Sequence, residues 1–202
     1  MKGESRTTAM MIDSLSLHPS HSLAVSGKRK TTTRITEKWN KMTNEIKLEL
    51  FADYFQFYIQ DEKANGDLSE HWTDEAVEQL LAITNGTIGV GTVRNMDVPV
   101  TIKTFDTEPA FLSDVENVIG QINECDIEVK SDKIVIAGCT DYFPDAKRVE
   151  LKNGIYRARI YYGNLDKLSE DGLEGEDFYE VHLWMTNKQE NLKIIKNRNA
   201  SH

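Results

Sequence analysis

Along most of this chain the hydrophobic residues recur at every second position, the period of a strand with one covered face. Ile46, Leu48 and Leu50 alternate with Lys47 and Glu49. In YFQFYIQ, Phe55, Phe57 and Ile59 share one face, and Gln56, Tyr58 and Gln60 share the other. The parity changes between these runs near Ala52 and Asp53, which predicts a bulge or break there. Alternation resumes with Ile88, Val90 and Thr92, then Val98, Val100 and Ile102. Tyr156, Ala158 and Ile160 face away from Arg157 and Arg159. Tyr179, Val181 and Leu183 read as inward, with Glu180, His182 and Trp184 outward. Ile127 and Val129 lead through Ser131 and Asp132 into KIVIAGC, a predicted hairpin.

A helical period enters in HWTDEAVEQLLAITNG. Thr73 is a good N-cap, Asp74 and Glu75 suit the first turn, and Trp72 and Val77 fit a hydrophobic staple. Val77, Leu80, Leu81 and Thr84 lie on one side, and Asn85-Gly86 is expected to close the helix. Residues 108–122 fit either class, with a capping box from Ser113 to Glu116. About eight short strands and one or two short helices predict a mainly β fold, a two-sheet antiparallel β-sandwich.

Composition divides the chain. Its 202 residues suit one domain with a tail. Residues 1–45 carry eight Lys/Arg against four Asp/Glu, whereas the remainder carries 16 against 29. Residues 1–41 are rich in Ser, Thr, His and Lys without a sustained period. They read as a disordered arm, or as an over-called leader before a start at Met42. The sandwich is expected over 42–190, with a C-terminal tail at 191–202. The acidic body argues against direct nucleic-acid binding, because phosphates need Lys and Arg. No run is apolar enough for a membrane span and no signal peptide is evident, so a cytoplasmic protein is expected.

The stretch GVGTVRNMDVPVTI could hide a charged centre, but it reads as a turn. Asn95, Met96 and Asp97 are expected at a hairpin turn, and Pro99 at an edge or a strand start. Gly89 and Gly91 suggest a bulge or close packing. Arg94 is expected to hold a carboxylate or loop carbonyls with its planar fork. The stretch lacks the ending of a phosphate-binding loop.

No nucleophile–base set, metal-ligand spacing or cofactor motif stands out, so neither metal nor cofactor is expected and the protein is read as a non-enzyme. Cys125 and Cys139 read as reduced thiols. The densest charge lies in NLDKLSEDGLEGEDFYE, with Asp166, Glu170, Asp171, Glu174, Glu176 and Asp177. Three readings stand: a solvated loop with turns at Gly172 and Gly175, a calcium site whose spacing misses the usual ligand pattern, or a surface that docks on a cationic partner. Trp184, read as outward, and Tyr161 would serve as aromatic anchors. Arg157, Arg159 and Glu180 would become cross-strand neighbours if their strands pair.

Several segments together resemble the competence protein J (ComJ) family of bacteria: YFQFYIQD, then WTDEAVEQLLAITNGTIGVGTVRN, then VPVTIKTFDTEP, and more loosely NGIYRARIYYGNL and DFYEVHLWM. The resemblance spans about residues 46–186, and its fingerprint residues are Trp72, Thr73, Arg94, Asn95 and Asp97. It implies a small protein that binds and inhibits a DNA-entry nuclease. The expected function is an acidic protein-binding inhibitor. The alternative is a small-ligand or carbohydrate-binding sandwich that uses Tyr58, Tyr161 and Trp184.

Overall fold

A computed structural model describes residues 41–112 and 117–199. These fall in one unit, Lys38–His202. The expected arm over 1–41, apart from Lys41, and the capping box at 113–116 lie outside the described residues.

The strands are β1 Met42–Phe51, β2 Gln56–Asp61, β3 Leu81–Thr84, β4 Thr87–Gly91, β5 Asp97–Phe105 and β6 Ile119–Val129. They continue with β7 Lys133–Gly138, β8 Lys147–Glu150, β9 Gly154–Gly163, β10 Phe178–Thr186 and β11 Lys193–Lys196. One α-helix, α1 Asp74–Gln79, precedes β3. A six-stranded sheet runs β1-β5-β10-β9-β6-β11, and a five-stranded sheet runs β3-β4-β2-β7-β8. The pairing is antiparallel except between β5 and β10, which lie parallel. β11 pairs with β6, so the segment assigned to the C-terminal tail adds an edge strand.

The two sheets share one core. Phe57, Ile59, Ile134 and Ile136 of the five-stranded sheet join Val100, Ile102, Ile160, Tyr162, Tyr179 and Val181 of the six-stranded sheet. Fully burying each aliphatic or phenylalanine side chain among them contributes about 1.5–3 kcal/mol.

The parity break at Ala52 and Asp53 marks a change of sheet: β1 and β2 belong to different sheets, joined by a 3-10 turn at Asp53–Phe55. Two expected hairpins are crossings as well. β4 and β5 lie in different sheets, and so do β6 and β7. Alternation reports which face is covered and is silent about which strand lies alongside. The β6–β7 crossing is fastened by Asp61, whose carboxylate accepts from the Ser131 hydroxyl at 2.6 Å and from the Lys130 and Ser131 amides at 2.8 Å.

The helix is shorter than its pattern. Thr73 caps it by accepting from the Ala76 amide. It ends at Leu80, which takes a left-handed conformation (φ 53°), and Leu81–Thr84 become β3. Asn85-Gly86 is the turn from β3 to β4, not a helix cap. The physical reason is a polar group of the core. The Gln79 carbonyl accepts from Asn123 Nδ2 at 2.8 Å and from Gln121 Nε2, while the Leu80 carbonyl accepts from the Tyr162 hydroxyl at 2.8 Å. These donors satisfy carbonyls that the next helical turn would otherwise take.

Candidate functional site

β10 pairs along its whole length with β9, and the acidic segment 164–177 is the loop of this hairpin. It folds as an ordered extension. Leu168 and Gly175 form a bridge, and the Ser169 amide donates to the Glu174 carbonyl at 2.8 Å. Asp171 accepts from the Ser169 hydroxyl at 2.6 Å and from the Leu173 amide at 3.1 Å. These two donors hold its carboxyl below the usual range. Gly172 turns the tip with φ 70°.

The stem of this loop is clamped by Arg94. Its Nε donates to Asp177 Oδ1 at 2.5 Å and its Nη1 to the Leu173 carbonyl at 3.3 Å. Asp177 Oδ2 also accepts from the Tyr179 hydroxyl, which in turn accepts from the Val93 amide. A carboxylate and a loop carbonyl thus share one guanidinium, the geometry a planar fork suits. Gly175 lies against this pair: a Cβ there would come within 3.1 Å of Arg94 Nε and 2.7 Å of Leu168.

The acidic residues therefore divide. Asp177 is fully buried and serves the clamp. Asp166, Glu170, Asp171, Glu174 and Glu176 are exposed. Glu176 pairs with Lys167 at 3.2 Å, while Asp166, Glu170 and Glu174 make no ion pair among the described residues. Glu174 and Gly175 border an open groove of about 720 Å³ shared with Lys47, Glu49, Arg94 and Asp97.

The expected aromatic anchors are not at the surface. Tyr161 is 0% and Trp184 5% exposed. Both lie on the outer face of the six-stranded sheet, as the alternation requires, but that face is covered. Arg159 packs its guanidinium 3.8 Å from the Phe111 ring and 5.0 Å from that of Trp184. It also donates to Glu124 and Glu108 and to the Pro109 carbonyl. Tyr161 stacks edge-on against His182. The carboxylates that meet Arg157 and Arg159 come from β6 and from Glu108 and Glu190, whereas Glu180 bonds Lys103 and His182. A period-2 pattern identifies the face opposite the core and cannot foresee that residues 108–111 cover it.

The exposed aromatics lie elsewhere. Tyr54 is 72% exposed, and Phe55, read from sequence as sharing a face with Phe57 and Ile59, is also exposed. Both have positive φ, 54° and 59°. Left-handed conformations cost bulky residues about 1–3 kcal/mol, and here hydrogen bonds impose them: the Phe55 amide reaches the Asn95 side chain and the Thr92 amide reaches the Phe55 carbonyl. The parity break was the only signal for them. Between Tyr54, Phe55, Trp72, Val77 and Arg198 lies a half-open pocket of about 510 Å³. Fingerprint residues thus have structural posts: Thr73 caps, Asn95 holds the 54–55 turn, Arg94 clamps the loop, and Asp97 begins β5.

Among the described residues no group of three or more His, Cys, Asp or Glu is placed to hold a metal ion. Cys125 and Cys139 are free thiols, and burial pushes both upward in pKa. No helix among the described residues is long and apolar enough to cross a membrane.

No family model and no curated protein matches this sequence. Solved structures do. One is ComJ from Bacillus subtilis, described as an inhibitor of the DNA degrading activity of NucA, with a TM-score of 0.51 and 19% identity over 73% of this chain and 98% of that one. Another is described as crocagin biosynthetic gene J, with a TM-score of 0.48 and 15% identity over 73% and 99%. With its two open sheets, one short helix and crossing loops, this chain has a ComJ-like fold.

Proposed function

We propose that this protein is a non-enzymatic inhibitor that docks its acidic loop on a cationic protein, a nuclease by analogy with the ComJ fold. One observation carries the reading: a hairpin loop clamped by a buried Arg94–Asp177 pair holds Asp166, Glu170 and Glu174 out in solvent, unpaired among the described residues. A nuclease gathers Lys and Arg where it binds phosphates, so carboxylates complement that cleft. A loop already ordered by its own hydrogen bonds loses less entropy on docking. Leu173, exposed at the tip, takes the apolar contact assigned from sequence to Trp184 and Tyr161. Burial of those two aromatics leaves only Tyr58, half-buried, of the three residues read as a carbohydrate platform.

The test is DNA degradation by NucA, and by any nuclease co-purified from the native host, with this protein added at low and high salt. The parent should inhibit at least one of them, more weakly at high salt. E170K/E174K/E176K, which spares Asp171 and Asp177, should slow association by about tenfold or more. A parent that inhibits neither nuclease overturns the reading. A triple variant with unchanged inhibition and salt response removes the loop from it.

A further inference from the structure

The pocket beside α1 is built from unusual parts. Of the five non-glycine residues with positive φ among the described residues, three line it: Tyr54, Phe55 and Leu80. Gly91 lies in its wall, where a Cβ would come within 2.9 Å of Leu80 Cα. Its volume of about 510 Å³ falls in the range of small-molecule sites, about 300–1,000 Å³. Tyr54, Phe55 and Val77 offer exposed apolar surface around it.

Two of its lining side chains carry unmatched polar atoms. Gln56 Oε1 and Trp72 Nε1, on two lining residues, are sealed from solvent and make no hydrogen bond among the described residues. Buried polar atoms are normally satisfied, so such a pair in one wall calls for an explanation. The single charge lining the pocket is Arg198, which has no carboxylate within ion-pair distance among the described residues. The turn that carries it is held against the helix, where Asn199 donates to Glu78 at 3.4 Å, and β11 ties the segment to β6. The Arg198 charge is felt at Tyr162, where burial raises the phenol and Arg198 opposes the rise.

We propose that this pocket binds a small amphipathic carboxylate, with its aryl or alkyl body among Tyr54, Phe55 and Val77 and its anionic end on Arg198. The site shares no side chain with the acidic loop and stands whether or not that loop docks on a nuclease.

Indole NMR of the full chain reads the pocket directly, with the Trp72 N–H signal assigned by its loss in Trp72→Phe. The probes are 4-phenylbutyrate, octanoate and the uncharged 4-phenylbutanamide. A saturable shift is expected with at least one of the two carboxylates. Binding should be about tenfold weaker for the amide than for 4-phenylbutyrate, and about tenfold weaker for the carboxylates in Arg198→Gln, because the charge-assisted bond is lost. Arg198 is exposed, so this variant leaves the fold intact. E170K/E174K/E176K should bind the probes as the parent does. Equal binding of acid and amide, unchanged binding in Arg198→Gln, or no saturable shift with either carboxylate overturns the proposal.

Discussion

Arg94 and Asp177 bury opposite charges side by side, with side-chain exposures of 8% and 0%. Removing one partner strands the other, so Arg94→Met and Asp177→Asn should each destabilise by about 3–5 kcal/mol. The double variant should lose less than the sum, and a urea-denaturation cycle reads the coupling. Asp61 makes a different prediction, in pH. Burial raises its carboxyl, but the Ser131 hydroxyl and the Lys130, Lys63 and Ser131 amides outweigh this and leave its pKa lowered. A folded value below the unfolded one, near 3.9, stabilises the protein fully above about pH 5. That stability drains as pH falls through the lowered value. Asp61→Asn should therefore flatten the acid limb of a stability–pH curve and cost about 1–3 kcal/mol at neutral pH. An acid limb of unchanged slope would show that the β6–β7 fastening does not depend on this carboxylate. Arg94 was legible from sequence because a planar fork near a turn has few other uses. Asp61 was not, since its partners lie 69 and 70 residues away.

At the scale of elements, α1 shows local signals stopped by a tertiary one. Thr73→Ala should cost about 1 kcal/mol, the value of a lost N-cap. Asn123→Ala removes a donor to the Gln79 carbonyl at the helix end and should cost about 1–3 kcal/mol. If thermal unfolding shows the Asn123 variant as stable as the parent, core donors do not set where the helix ends. Most strands were legible, because a covered face enforces a period of two, but β3 read as the end of the helix, β11 as a tail and β8 not at all. Pairing was not legible. β4 to β5 and β6 to β7 both read as hairpins yet cross between sheets, since turn residues that reverse a chain also serve to carry it across the core.

Over the whole molecule, charge governs approach and packing governs what can be touched. The acidic excess beyond residue 45 should make association with a cationic partner fall with ionic strength, chiefly in the on-rate, because screening weakens steering more than close contact. Stopped-flow rates over a salt series check this, and a salt effect confined to the off-rate would contradict it. The sequence by itself determined the alternating faces, the acidic body, the helix start and the presence of a concentrated acidic loop. These depend on local order and composition, which a linear chain displays. Only the tertiary structure decided that Asp177 belongs to a clamp, that Arg159 packs over Trp184 and His182 against Tyr161, and that Tyr54 and Phe55 turn outward beside Arg198. Each of those outcomes depends on groups distant in sequence competing for the same buried space, and that competition is settled only when the two sheets close on each other.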